Sequence, residues 1–568
     1  MSTGTSLAAP LQATEAAAAV SRPLVRATWP RLLAFALALA TAITALELWA
    51  WWRPPAGMAF LGSFWATEDV AAYWSAMREA AGQAGWLVHD RLTSEPHAPA
   101  LVYPLYLAAA KVGAMLGASI EAAYIGFAWL GRLFFLIALG ALVAALVEPA
   151  RRRSAYALAL AGGGFAFLVL LIAATMRRPD LVGEWAVDWR YVELSTFLAL
   201  FSYPHVLVSL GALAFLLVVR LQLDERVSAR GLAMLATTTS LMALANSFAL
   251  VPTAIALAAY GLWRVATRSA VLRRELAIGL VFLLVATPFL LYSWRTFGQD
   301  PFWATVYGDQ NVPHLLTPSL LPLLSGLGLL IPLGFIGAVT LVRERPGGWS
   351  LVLLWTLVLF ALMLLPLPYQ RRYGLGMPML LALLAARGLA TVTASGEWRR
   401  LSGGLRRLGG YAAVVALFSS ALGVVVLVLT LLITGRGAVS VMPAFERASV
   451  VDASRWLAGH STREDVVLAE WRTANVALRY IPGRAFSGHP IATLEAEAKE
   501  ASVRRFFDAT TVDSERESFL RTRGVTLIIV GPRERASGDF DPGGSRYVER
   551  IYANDEVVIY RVDVRRTP

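Results

Sequence analysis

Glu68 and Asp69 are adjacent carboxylates placed where a helix should begin, with Thr67 in position to cap it. Val70, Tyr73, Trp74 and Met77 follow at three-to-four spacing, the pattern of an amphipathic helix able to lie along a membrane surface. Carboxylates so placed can take a proton from a hydroxyl within hydrogen-bond reach, or they can simply favour the positive end of the helix dipole. Arg371 and Arg372, in LPLPYQRRYGLGMP, are a guanidinium pair at the end of an apolar run. Such a pair either binds phosphate or snorkels to lipid headgroups. Arg132 lies inside another apolar run, where a charge is costly and is either functional or tied into a structural ion pair. His205 follows Pro204 in the apolar stretch LFSYPHVLVSL and reads as a packed polar group or as a catalyst. His89, Asp90, Glu95 and His97 share one segment, but no two histidines have helical ligand spacing and prolines interrupt it, so the sequence gives no warrant for a metal. A divalent metal stays imaginable there, and no other cofactor is indicated. With no cysteine there is no disulfide, thiolate metal site or thiol nucleophile. Neither a Walker A motif nor a G-x-G-x-x-G after a strand is present.

What must position these residues is a membrane scaffold. The chain is 57% hydrophobic with a mean hydropathy of +0.57, and its apolar runs persist for about 20 residues. The net charge of +12 does not point to nucleic acid, because the basic residues cluster in short loops between apolar runs. Spans are expected near 32–51, 121–147, 155–175, 194–219, 232–247, 249–263, 276–296, 319–342, 350–366, 374–393 and 411–434, about eleven in all. The first reads as an uncleaved signal anchor behind a cytoplasmic tail, residues 1–31. With that tail inside, every cytoplasmic loop is short and arginine-rich, from Arg151–Arg152–Arg153 to Arg406–Arg407, as the positive-inside rule requires. The rule holds only if 98–118 does not span, and Pro99, Pro104 and Lys111 suit an interfacial helix instead. Arg371–Arg372 then fall on the outer side, against the charge bias, which calls for a reason.

The expected molecule is therefore asymmetric: a membrane part over 32–435 with a large first external loop (52–120), and an extracytoplasmic α/β domain over 436–568. In that last part the pattern predicts a helix at 448–457, a strand at 465–469, amphipathic helices near 492–508 and 513–523, a buried strand at 525–530, and a hairpin of 548–552 with 557–562. The stretch from Asp465 to Pro490 either presents a ligand face with Trp471, Arg472 and His489 or is an ordinary folding unit.

The first external loop as a whole resembles that of the GT-C glycosyltransferases. The likeness rests on the acidic pair after the first span, Tyr73, Gly85, and a Pro/Tyr-rich interfacial helix ending at Gly117, and it is nearest to the bacterial protein O-mannosyl and aminoarabinose transferase group. That group carries Asp-Glu where this chain has Glu68-Asp69, so Asp69 is the better match to its essential aspartate. The resemblance implies transfer of a sugar from a polyprenyl-phosphate carrier to a glycan, lipid or protein acceptor on the outer face of the cytoplasmic membrane. Asp69, with Glu68 beside it, would be the catalytic carboxylate, and Tyr73, His89, Tyr103, Arg132, His205, Arg371 and Arg372 would bind substrate. The other reading is a transporter, flippase or binding protein for a lipid-linked glycan; no repeated pair of broken or charged helices favours it. Since the chain has no cysteine, the topology is directly testable. Asp69→Cys is expected to react with a membrane-impermeant thiol reagent added from outside, and Arg152→Cys to react only after the membrane is opened. Labelling of both from outside would contradict the threading.

Overall fold

Backbone polar groups in lipid must be satisfied within their own segment, so runs of this length fold as helices. The computed structural model describes residues 24–344, 348–436 and 442–563. Of the expected tail, residues 1–23 lie outside these. Among the described residues, six helices are long and apolar enough to cross a membrane: Trp29–Trp52, Ile120–Leu146, Pro204–Glu225, Ser247–Thr267, Leu272–Gln299 and Met377–Ala394. Three bent pairs raise the count to nine if each is one span: Pro149–Ala161 with Ala166–Met176, Leu320–Leu327 with Leu330–Glu344, and Gly403–Leu417 with Ser419–Thr434. Two more of the expected eleven segments are shorter helices, Ala229–Ala245 of 17 residues and Trp349–Leu364 of 16. The first bent pair breaks at Gly162–Gly164, where a Cβ on Gly164 would stand 2.4 Å from the backbone of Ser325 and Gly326. Two helix breaks can meet there only because both segments carry glycine.

Arg132 stitches the first two long helices together. It is 1% exposed, and its guanidinium meets Glu47 in an ion pair, donates to Thr44 Oγ1 at 2.8 Å, and gives its Nε–H to the carbonyl of Leu200 at 2.8 Å. With every group paired, the buried charge is tolerated as a helix clamp.

The segment expected to lie on the interface, 98–118, contains the helix Pro104–Met115, whose 12 residues are too few to cross a bilayer. It packs against Thr67–Ala81 and Ile120–Leu146. The helix carrying the acidic pair, Thr67–Ala81, buries Val70, Tyr73, Trp74 and Met77, the residues that set its period.

Beyond the last apolar helix the chain builds a five-stranded sheet. β1 (Met58–Phe60) and β2 (Phe445–Arg447) form a separate antiparallel pair, and the sheet runs β4 (Arg484–Ala485), β3 (Val466–Leu468), β5 (Leu527–Val530), β7 (Val558–Val562), β6 (Val548–Ala553). The pairings of β3 with β4 and β5 are parallel and those of β7 with β5 and β6 antiparallel. Alternation along β5 sends Leu527 and Ile529 to one layer and Ile528 and Val530 to the other. The first layer is completed by helices Ala448–Ala458 and Trp471–Leu478, the second by Ala496–Phe507 and Asp513–Thr522.

The pairing of β1 with β2, which sequence periodicity does not suggest, ties this unit to the segment that follows the first long helix. The loop is then gripped along its length. Ala485 and Gly488 donate backbone N–H groups to the carbonyls of Arg91 and Leu92, both at 3.0 Å. Lys499 Nζ reaches Glu95 at 2.6 Å and Thr93 Oγ1 at 2.9 Å.

Candidate active site

The helix bearing Asp69 starts under constraint. Ala66, not the expected Thr67, is the residue before its first turn, and it holds a left-handed φ of 50° with no side-chain cap. Thr67 is already helical and turns its hydroxyl back to the carbonyl of Ser63 at 3.2 Å. Tyr103 (φ 54°) and Tyr369 (φ 62°) hold the same conformation just before the helices Pro104–Met115 and Gln370–Tyr373. Three strained entries, each costing on the order of 1 kcal/mol, thus surround one place.

That place is a cavity of about 640 Å³, within the usual range for ligand sites. Glu68, Asp69, Tyr73, Tyr103, His205, Arg371 and Arg372 all line it. His89 and Arg132 do not. His89 sits on the loop surface against Glu79, 2.9 Å away and with its side chain 46% exposed, and Arg132 is spent on Glu47. Trp471 and Arg472 also lie off the cavity, Arg472 stacking on Trp471 and pairing with Glu470.

Asp69 is held from two sides. Its Oδ1 accepts from His489 Nε2 at 3.0 Å, and its Oδ2 accepts from the Tyr203 hydroxyl. Its side chain keeps 32% of its surface accessible. Burial pushes its pKa up, but the His489 and Tyr203 hydrogen bonds, with the nearby charge of Arg372, outweigh that and hold the carboxyl below its usual value. Glu68 lines the same wall, with its backbone carbonyl taken by Asn475 Nδ2 at 2.9 Å.

An aromatic floor supports the acid. Tyr73 stacks on Tyr106 with ring centroids 4.3 Å apart and meets Tyr103 edge-on at 5.0 Å. The Tyr106 hydroxyl and His205 Nδ1 are 2.8 Å apart, so His205 is fastened to the floor. Behind it, Tyr103 and Tyr307 join hydroxyls at 3.1 Å, and Tyr307 donates to Asp90 at 3.3 Å. Asp90 is 5% exposed, and burial pushes its carboxyl up to about 6.

The opposite wall is cationic. Glu193, 3% exposed, stands 3.4 Å from Arg371 Nε and 3.3 Å from Arg372. Arg371 also lies over the Tyr191 ring at 3.9 Å. One carboxylate between two guanidiniums leaves this wall net positive. Among the described residues no group of three or more His, Asp or Glu side chains converges, and both Asp69 oxygens hold hydrogen bonds.

Tyr203 and His489 lie 134 and 420 residues from Asp69, and no local spacing connects them to it. His489 carried a signal in its Gly-His-Pro turn after a strand, Tyr203 only its place before Pro204.

No family model matches the sequence, and no curated protein matches it either. Solved structures do align. The oligosaccharyltransferase of Archaeoglobus fulgidus in complex with Zn and sulfate superimposes with a TM-score of 0.53 at 13% identity, over 90% of this chain and 71% of that one. The same archaeal enzyme, AglB, with an inhibitory peptide and a dolichol-phosphate gives 0.51 at 13% identity, over 89% and 70%. ArnT from Cupriavidus metallidurans bound to undecaprenyl phosphate gives 0.48 at 14% identity, over 93% and 97%. The chain therefore has the GT-C membrane fold expected from its first loop and is a multi-pass membrane protein.

Asp90 supplies a pH test. Its raised pKa means that folding takes up a proton between about pH 4 and 6, so its contribution to stability falls as pH rises through about 6. Asp90→Asn removes that titration. The unfolding midpoint of the variant, relative to wild type, is predicted to improve as pH rises from about 4 to 6 and to level off above about 7; a difference that stays constant from about pH 4 to 7 would contradict the assignment.

Proposed function

We propose that the protein is a membrane glycosyltransferase moving a sugar from a polyprenyl-phosphate donor to an acceptor on the outer face of the cytoplasmic membrane, with Asp69 as general base. The observation that carries this reading is that Asp69 and the Arg371–Arg372 pair, far apart in sequence, line one cavity. An inverting transfer needs both. The base takes the proton of the attacking acceptor group as its bond to the anomeric carbon forms. The bond from that carbon to the phosphate oxygen breaks, and the polyprenyl phosphate leaves with charge that prearranged cations can stabilise.

The rest of the cavity suits the donor. Leu101, Phe289, Phe297, Leu315 and Leu316 give an apolar flank beside the arginines. Phe289 and Phe297 belong to the helix Leu272–Gln299, whose Leu276, Leu280, Leu284 and Leu291 are exposed, so a prenyl chain has an apolar route from the bilayer. The archaeal neighbour was solved with a dolichol-phosphate and with sulfate, both anions of the class proposed here. Arginine-rich loops at the other ends of the helices support the outer face.

The test is donor turnover. Purified protein in nanodiscs would be given a panel of polyprenyl-phosphate sugars with acceptor extracts, and free polyprenyl phosphate would be followed by mass spectrometry. Asp69→Asn is predicted to lower release by roughly 10²–10⁴-fold with folding intact. Release unchanged in the variant would contradict Asp69 as base, and no release from any donor by wild type would contradict the reaction class.

A further inference from the structure

His489 belongs to the sheet-bearing unit yet reaches the reaction cavity, and its two ring nitrogens face different partners. Nε2 points at Asp69 Oδ1, 3.0 Å away. Nδ1 receives two backbone N–H groups, from Ile491 at 3.1 Å and from Ala492 at 3.0 Å. A nitrogen that accepts two N–H groups has no room for a proton of its own, so the tautomer follows from the hydrogen bonds around the ring.

The turn that sets this geometry is built rigidly. The backbone N–H groups of Gly488 and His489 both donate to Thr493 Oγ1, at 3.1 and 2.9 Å, and the Thr493 hydroxyl donates to the carbonyl of Leu92 at 2.8 Å. Gly488 lets the turn approach, since a Cβ there would stand 2.7 Å from the Leu478 side chain and 3.2 Å from Leu92 Cα. The His489 side chain is 5% exposed.

We propose that His489 is a positioning residue locked as a neutral Nε2–H donor, through which the sheet-bearing unit orients the carboxylate of Asp69 toward the acceptor. This rests on the reading of Asp69 as general base. The ring is an anchor and not a proton shuttle, because a shuttle would need Nδ1 to release or take a proton that the two N–H groups exclude. Burial disfavours a second ring proton, while the Asp69 hydrogen bond and the charges of Asp69, Glu68 and Asp90 outweigh it and push the ring's pKa up; the two N–H groups aimed at Nδ1 stand where that second proton would have to go. Facing Asp69 itself are Tyr203 from the segment ahead of Pro204, Arg372 from the Gln370–Tyr373 turn, and Tyr73 and Tyr106 from the floor.

Two substitutions separate positioning from a merely structural role. His489→Gln places an N–H near the Nε2 position and keeps the donor to Asp69. His489→Asn places its carbonyl oxygen near the Nδ1 position and keeps the turn anchored, but loses the donor. Losing a donor to a carboxylate raises its pKa, so the acid limb of kcat/KM is expected to move up by about one to two pH units in His489→Asn; at neutral pH, where Asp69 stays ionised, the lost orientation is expected to lower kcat/KM roughly tenfold. His489→Gln is expected to keep the wild-type limb. The reverse order of the two variants, or an unmoved limb in His489→Asn, would overturn the proposal while leaving the base assignment to Asp69→Asn. A second readout does not depend on turnover: 15N resonances of the His489 ring in the full chain, assigned by their loss in His489→Gln. A ring protonated only on Nε2 from pH 6 to 8 supports the proposal, and an imidazolium or an Nδ1–H ring at pH 7 overturns it.

Discussion

Arg479 is completely buried, and the two terminal nitrogens of its guanidinium donate to the carbonyls of Leu61 and Thr67, with Asn475 Oδ1 at 3.2 Å alongside. Those two carbonyls flank the left-handed turn at Ala66 from which the Asp69 helix departs. A charge taken out of water in this way is tolerable only if the protein supplies acceptors in the right directions, so the seam between the sheet-bearing unit and the loop that carries Asp69 has little freedom to slide. Asn475, one turn earlier on the same short stretch, ties down the Glu68 carbonyl at 2.9 Å. The position of Asp69 follows from these contacts, and so does its meeting with His489, which comes from the same unit.

The electrostatics of the cavity divide along the same lines. Asp69 is surrounded by donors and is kept ionised, as a proton acceptor must be before it acts. The arginine wall carries one more positive charge than Glu193 can neutralise. Asp90 lies behind two tyrosines and is pushed toward its neutral form. Two carboxyl groups on one loop are thus driven in opposite directions by their surroundings, the usual sign that an environment is arranged for separate tasks.

Much of this was legible in the sequence, for reasons that can be named. Glu68, Asp69 and Tyr73 announce themselves because they are local: an acidic first turn followed by a helical period. Arg371 and Arg372 stand out because the threading puts them on the side opposite the short arginine-rich loops. Tyr103 and His205 share the cavity with them because prolines at 104 and 204 start helices at its edge. What could not be read was pairing across distance. Nothing near Arg132 names Glu47 as its partner, which is why a structural clamp could be taken for a substrate ligand. His89 sits in an informative loop but turns outward to Glu79. The first turn at Ala66 carries no cap signature, since its geometry is imposed by Arg479 from the far end of the chain. Span counting was limited by helices that bend at glycine and serine pairs or stop short, which a hydropathy period does not register.

The central claim is that Asp69, fixed by the docked unit, and the arginine pair address the same bound molecule. The most direct measurement is a cryo-EM structure of the full chain in nanodiscs with a polyprenyl phosphate. The account predicts phosphate density within hydrogen-bond distance of Arg371 or Arg372, the prenyl chain along Phe289 and Phe297, and Asp69 still held by His489 and Tyr203 on the side where the sugar would lie. Phosphate bound elsewhere, or a cavity in which Asp69 has left His489 and turned away from the arginines, would contradict it.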